Sequence, residues 1–253
     1  LFISESIVEK IIELKDHIYL LKIKSPEIAE KIKPGQFVNI KVCNSSTPLL
    51  RRPFSICDVE DSSIFIMFNI HGEGTKILAQ KREGECLDVL GPLGNGFLSD
   101  DDFTTAIIVA GGMGVAPFPF FTKQIKSKKE IFSFIGGRSD KDIIKYGLKN
   151  PIIATEDGSE GIKGNVIDLL KENESLFKDK KIRFFGCGPT PMLRALKYYC
   201  IHSNFECEVS TECAMACGFG ICQGCPIEST SISDSYLLVC KDGPVFNIKD
   251  VVL

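Results

Sequence analysis

Along residues 1 to about 98, apolar and polar positions alternate in short runs broken by turns, as in GQFVNIKVC at 35–43, SIFIMFNI at 63–70 and ECLDVLGP at 85–92. Strand-like runs at such even spacing predict a small antiparallel β-barrel or sandwich. From about Thr104 the rhythm changes. The runs AIIVA, EIFSFIGG, PIIAT and KIRFFG are separated by longer stretches with a helical pattern, and an apolar helix is expected through MLRALKYYC. Strands alternating with helices predict a parallel sheet covered on both faces. After Asn204 the strand-like FECEVS leads into a compact tail rich in Cys and Gly. The expected architecture is multidomain β plus α/β, with modules at 1–100, 101–205 and 206–253 and neither repeats nor low-complexity linkers.

Composition narrows the function classes. With 253 residues, 44% of them hydrophobic and 25% charged, the chain has the make-up of an ordinary globular protein with a sizeable core. Thirty basic against thirty-three acidic side chains leave a net charge of -3, which argues against nucleic acid as a partner because phosphate binding calls for a basic excess. Glu5 and Glu9 stand where an export signal would need basic and then apolar residues. The uncharged stretch from Phe103 to Thr122 is long enough to cross a bilayer, but Gly111, Gly112, Gly114, Pro117 and Pro119 interrupt it. It reads as a buried strand, a glycine turn and a helix start, so no membrane partner is expected. Eleven cysteines in such a chain are expected to be cytoplasmic thiols rather than a disulfide framework.

Four of those cysteines form a pattern. Cys217, Cys222, Cys225 and Cys240 are spaced C-x4-C-x2-C-x14-C, and the first three reproduce the plant-type ferredoxin spacing for a [2Fe–2S] cluster. Gly218, Gly220 and Gly224 suit a loop wrapped around a cluster, where positive φ and close approach leave amide N–H groups free to face the sulfurs. Zinc competes for the same residues, although structural zinc sites favour two paired knuckles and only one C-x2-C exists here. Cys213 falls too far from Cys222 for the short ligand loop and is expected to pack.

Two glycine turns carry the next signal. AIIVAGGMGVAPFPFF sets Gly112-x-Gly114-x-x-Pro117 between a strand and a helix, where glycines admit a pyrophosphate to the helix N-terminus. A tight structural connection would look the same. FFGCGPTPMLRAL repeats the device at Gly186 and Gly188, with Pro189 and Pro191 opening a helix. Both turns would sit at the carboxyl ends of neighbouring parallel strands, where open α/β sheets bind ligands. Arg138 and Asp140 follow the next strand at a ribose-reading position; Asp suits a ribose diol, Arg a 2′-phosphate, and both could be solvated loop charges. In the first module, LLRRPFSI places Arg52 and Ser55 around Pro53 and Phe54, and HGEGTKIL places Gly74 and Thr75 at a helix start; either could serve a phosphate or be ordinary surface and turn.

In combination, R-P-F-S, G-G-M-G-V-A-P and C-G-P-T-P-M resemble the ferredoxin–NADP reductase superfamily. With the cysteine pattern, GPLGNGF at 91–97 and ATEDGSEGIKGNV at 154–166, the chain looks more narrowly like the electron-transfer subunits of class B dihydroorotate dehydrogenase. The resemblance covers nearly the whole chain with the motifs in order. It implies an antiparallel flavin barrel, a Rossmann-like NAD domain and a small C-terminal [2Fe–2S] domain. By residue, it implies that Arg52 binds the FAD pyrophosphate and that Ser55 lies near the isoalloxazine, with Pro53 and Phe54 setting the strand and Gly74 and Thr75 holding the second phosphate side. Gly112, Gly114 and Pro117 would shape the NAD loop; Cys187, Gly188 and Pro189 would flank the nicotinamide; Cys217, Cys222, Cys225 and Cys240 would ligate the cluster.

The resemblance further implies electron transfer between NAD(H), FAD and the cluster, with no side chain acting as general acid or base. The partner would be an FMN-containing dihydroorotate dehydrogenase catalytic subunit, two of each chain forming a heterotetramer. Two other classes remain open: a flavin and iron–sulfur subunit of another complex, such as a ferredoxin–NADP oxidoreductase, sulfide dehydrogenase or hydrogenase diaphorase, and a non-enzymatic metal-binding redox sensor.

Overall fold

A computed structural model describes residues 1–98, 102–125, 129–230 and 235–253. The boundary expected between residues 100 and 101 lies outside the described residues. β1 (Phe2–Lys15), β2 (Ile18–Lys24), β3 (Phe37–Lys41), β4 (Arg52–Glu60), β5 (Ser63–Asn69) and β6 (Cys86–Leu93) close an antiparallel barrel in the order β1-β2-β5-β4-β3-β6. Two short helices, α1 (Pro26–Lys31) and α2 (Glu73–Ala79), follow β2 and β5. The near-continuous apolar run of β5 has a physical reason: both of its faces are covered. Ile64, Ile66 and Phe68 enter the barrel core, while Phe65 and Met67 turn outward into the core shared with the second sheet.

That sheet contains β7 (Thr105–Gly111), β8 (Glu130–Gly137), β9 (Pro151–Thr155), β10 (Ile162–Lys163), β11 (Ile182–Cys187) and β12 (Cys207–Ser210), all parallel. The strand order is β10-β9-β8-β7-β11-β12, so the chain runs outward from β7 in one direction and then returns beside it as β11. The reversal between β7 and β11 opens a crevice at their carboxyl ends. On one face the sheet is covered by α4 (Val166–Glu172) and α5 (Thr190–His202), which contribute Leu169, Leu170, Leu193 and Leu196 to its core. On the other lie the barrel and α3 (Phe118–Ile125). The stretch from Phe103 to Thr122 is thus strand, 3-10 turn and helix, and among the described residues no helix is long and apolar enough to cross a membrane.

The C-terminal segment pairs β13 (Pro226–Glu228) with β14 (Tyr236–Leu238), then returns as β15 (Val245–Asn247), antiparallel to β12. The sheet therefore has seven strands. The excursion between β12 and β15 closes at its neck, where the Thr211 amide and hydroxyl both donate to the Pro244 carbonyl, at 2.9 and 3.3 Å.

Barrel and sheet are joined by an aromatic seam. Phe97, just after β6, stacks on Phe118 at 5.5 Å and meets Phe121 and Phe185 at 5.2 and 5.7 Å, and Phe185 lies 4.4 Å from Phe121. All four are buried. Replacing Phe185 with Ala should cost about 3–5 kcal/mol of stability through the cavity left behind. The expected observation is a lower urea midpoint for the variant, and an unchanged midpoint would contradict this view of the seam.

Candidate functional site

Two clefts open beside the C-terminal segment, the larger where it meets both barrel and sheet, the other between it and the sheet. The larger, about 490 Å³, is lined on the barrel side by Pro53, Phe54 and Ser55 of β4 and by Thr75 of α2. Phe37 stands opposite Ser55 across the β3–β4 ladder and also faces the cleft. The structure brings Arg52 and Gly74 together, because a methyl group on Gly74 would lie 2.9 Å from Arg52 Nε. The guanidinium is turned back onto the Leu50 carbonyl. Thr75 is less free than its sequence position suggests. Its hydroxyl accepts from the amides of His71 and Gly72 at 2.9 and 3.2 Å and donates to the Gly72 carbonyl at 3.1 Å. What this turn can offer an anion is backbone N–H rather than the hydroxyl.

The second cleft, about 470 Å³, lies at the strand reversal and is lined by Gly111, Gly114, Gly188 and Pro189. Gly112 has φ +53 and open space around its Cα, which fits a backbone exposed to a ligand. Gly114 answers a different need. A methyl group there would stand 2.1 Å from the Cys187 carbonyl oxygen, so only glycine lets the β7 turn pass the β11 turn. Pro117 is buried in the turn before α3 and lines neither cleft. Cys187 is also buried, one layer behind the cleft wall; burial, and secondarily the nearby Glu212, push its thiol well above the usual range.

Three residues that the sequence did not single out form the wall common to both clefts: Met113, Thr211 and Glu212. Burial raises the Glu212 carboxyl above the usual carboxylate range. A signal existed, since Thr211 and Glu212 directly follow the strand FECEVS and so fall at the carboxyl end of a parallel strand. Arg138 and Asp140 line neither cleft. Arg138 is ion-paired with Asp142 at 3.4 Å, and the Asp140 amide donates to Ser159 Oγ at 2.7 Å.

The four cysteines gather beside the larger cleft in two pairs. Cys225 and Cys240 are buried with their sulfurs 3.1 Å apart. Cys217 Sγ accepts from the Cys222 amide at 3.5 Å. Burial alone would raise the Cys217 thiol, but the amides of Cys222, Phe219 and Ile221 and the Cys222 thiol outweigh it and bring the group down to about 6. Cys240 is pushed up to about 12 by burial and by Cys225. Gly218 and Gly220 sit at φ +82 and +90, the left-handed conformations that this loop requires. Gly224 does not need one; there a methyl group would only touch Cys222 Sγ at 3.4 Å, and Gln223 takes the left-handed position instead, at φ 59. Cys213 lines the larger cleft and interacts with Cys225, which with burial raises its thiol to about 12.

This donor set fits a binuclear cluster better than a single ion. A tetrahedral zinc at about 2.3 Å from each sulfur would draw all four together. Among the described residues no three of these sulfurs lie within 4.8 Å of one another; the one group that meets this condition is the exposed Glu13, Asp16 and His17. All eleven cysteines are free.

Comparison with known proteins places this geometry. The family described as the iron–sulfur cluster binding domain of dihydroorotate dehydrogenase B matches residues 212–252. The chain is 40% identical over 250 residues, 95% of each chain, to the protein named dihydroorotate dehydrogenase B (NAD(+)), electron transfer subunit, of Bacillus pumilus. It is 38% identical over 226 residues, 88% of each chain, to the protein of that name from Caldanaerobacter subterraneus subsp. tengcongensis. Among solved structures, that of an NADH-dependent reduced ferredoxin–NADP oxidoreductase matches with TM-score 0.85 and 25% identity, covering 98% of this chain and 90% of the other. A Neisseria gonorrhoeae ferredoxin NADP+ reductase with bound FAD and NADP shares the fold at TM-score 0.66 and 18% identity, covering 81% of this chain and 92% of the other. On the near full-length identity to these relatives, the chain belongs to the family of electron transfer subunits of dihydroorotate dehydrogenase B.

Proposed function

We propose that the chain carries electrons from an FMN-containing dihydroorotate dehydrogenase catalytic subunit to NAD+, by way of a [2Fe–2S] cluster and FAD, in pyrimidine biosynthesis. The observation that carries this reading is continuity. Met113, Thr211 and Glu212 line both clefts, and Cys213 connects the larger cleft to Cys225. When bound, FAD converts the two-electron hydride chemistry of NAD(H) into the single electrons that a [2Fe–2S] cluster exchanges.

The protein's own part is to hold and insulate these groups. Arg52 would present its forked guanidinium to the FAD pyrophosphate, with the backbone at Gly74 and Thr75 on the second phosphate side. Pro53, Phe54 and Ser55 would line the flavin, Ser55 near its reactive ring. Gly112 and Gly114 would admit the NAD pyrophosphate, Pro117 would fix the exit of that turn, and Cys187, Gly188 and Pro189 would flank the nicotinamide. Burial holds the Glu212 carboxyl above the usual carboxylate range in the wall that the two clefts share. Cys217, Cys222, Cys225 and Cys240 would ligate the cluster. The relatives' printed name, dihydroorotate dehydrogenase B (NAD(+)), supports NAD(H) as the nucleotide.

The functional modules would run 1–100 for FAD, 101–205 for NAD and 206–253 for the cluster, with two copies of the chain joining two catalytic subunits in the cytoplasm. Eleven free thiols suit that reducing compartment. The 25% identity to an NADH-dependent reduced ferredoxin–NADP oxidoreductase supports a second reading, a flavin and iron–sulfur subunit of another complex, and identification of the copurifying partner separates the two.

An anaerobic visible spectrum with metal and flavin assays tests the reading: about one FAD and two irons per chain are expected, bleached by NADH. Zinc without flavin would overturn it. Cys222→Ser should abolish the cluster absorption and leave reduction of FAD by NADH measurable; retention of the full cluster signal would remove Cys222 from the ligand set. For the NAD turn, Gly112→Val, at a position with open space around its Cα, should keep FAD content while raising the NADH concentration needed for half-maximal flavin reduction about tenfold, equivalent to about 1.4 kcal/mol. An unchanged requirement would count against that placement.

A further inference from the structure

Asn39 stands on β3 between Pro53 of β4 and Leu90 of β6. Its neighbours Val38 and Ile40 enter the barrel core, whereas Phe37, on the same face as Asn39, joins the apolar cluster that contains Cys225 and Cys240. Asn39 is fully buried there, and its Nδ2 donates to the backbone carbonyl of Cys217 at 3.3 Å. A methyl group on Gly218 would stand 2.5 Å from that nitrogen, so the loop closes on the amide only because residue 218 has no side chain. Among the described residues, no other barrel side chain hydrogen-bonds the loop from 217 to 225.

The amide is not a neutral filler. Its Oδ1 is buried and lacks a partner. Leaving such an acceptor unsatisfied is costly, and an apolar side chain of similar size would avoid that cost. What Asn39 supplies in return is Nδ2, and Nδ2 fixes the peptide between Cys217 and Gly218. The next turn of the loop then brings the Cys222 amide onto Cys217 Sγ at 3.5 Å. Hydrogen bonds to cluster sulfurs stabilise the more negative, reduced cluster and so raise its potential.

We propose that Asn39 is a positioning residue for the cluster: by holding the Cys217 carbonyl it locks the cysteine loop to the strand that faces the flavin cleft, and it keeps the loop amides aimed at Cys217 Sγ. The proposal rests on the reading of the four cysteines as [2Fe–2S] ligands. Its consequence is that a barrel residue bearing no ligand atom sets the redox balance between cluster and flavin.

The test is a redox titration of the full chain with its FAD, following the cluster by electron paramagnetic resonance and the flavin by absorbance. Asn39→Ala is expected to make electron transfer onto the cluster about tenfold less favourable, a fall of about 59 mV for a one-electron couple, with a changed resonance line shape and an unmoved flavin potential. Asn39→His, which keeps a nitrogen donor, should lie nearer the unsubstituted protein. An alanine variant with full iron and an unchanged cluster potential and line shape overturns the proposal. Should Asn39→Ala not retain its irons, Asn39→Ser, too short to reach the Cys217 carbonyl, carries the same expectation and the same refutation. An unsubstituted chain without iron would instead defeat the cluster assignment, and this inference with it.

Discussion

The aromatic seam of Phe97, Phe118, Phe121 and Phe185 is the contact on which the rest of the molecule depends, because it fixes the barrel against the sheet, and the larger cleft has walls from both. Neither layer makes the larger cleft alone. β4 supplies one wall of the larger cleft, and the β7 turn and the residues after β12 supply another. A shift at the seam would therefore deform the larger cleft and leave the second, which has no barrel residue in its lining, in place. The packing is correspondingly tight, since a methyl group on Gly35 would lie 2.8 Å from Phe97 Cδ2 and 2.9 Å from Val245 Cγ2. At that one glycine, barrel, seam and C-terminal strand come within van der Waals contact.

Local periodicity made the two main layers legible. The even strands of the barrel and the βαβ rhythm after Thr104 are properties of neighbouring residues, and they survive as β3, β5, β6 and the parallel sheet. The cysteine pattern was legible for a similar reason, because three of its four cysteines lie in one short loop at a spacing that suits a [2Fe–2S] cluster. Harder to read was anything that depends on distant segments meeting. β15 has three residues and no alternation to announce it, and its pairing with β12 follows from the fold. Glu212 and Met113 are far apart in sequence and become neighbours in function only because β7 and β12 flank β11.

Individual side chains divided in the same way. Arg52 and Gly74, from two separate motifs, meet because the glycine leaves room for the Arg52 side chain. Thr75 shows where motif reading stops, since a hydroxyl at a helix start can serve a ligand or its own turn, and here it serves the turn. Asn39 carried no signal at all. An Asn within an alternating strand reads as a solvent-facing residue, and only the loop laid over it turns that position into a buried one.

The hydrogen-bonded neck between Thr211 and Pro244 gives the cluster segment a particular topological character. The chain leaves the sheet at one strand and re-enters it at the adjacent strand, so the segment is a closed appendix rather than a link between domains. Loop closure grows only slowly in cost with length, and here the pairing of β12 with β15 supplies it. The returning arm carries Cys240 back beside Cys225. The same architecture makes the segment separable in evolution: a reductase of this fold could acquire or discard such an appendix at that strand junction without rethreading its nucleotide-binding sheet.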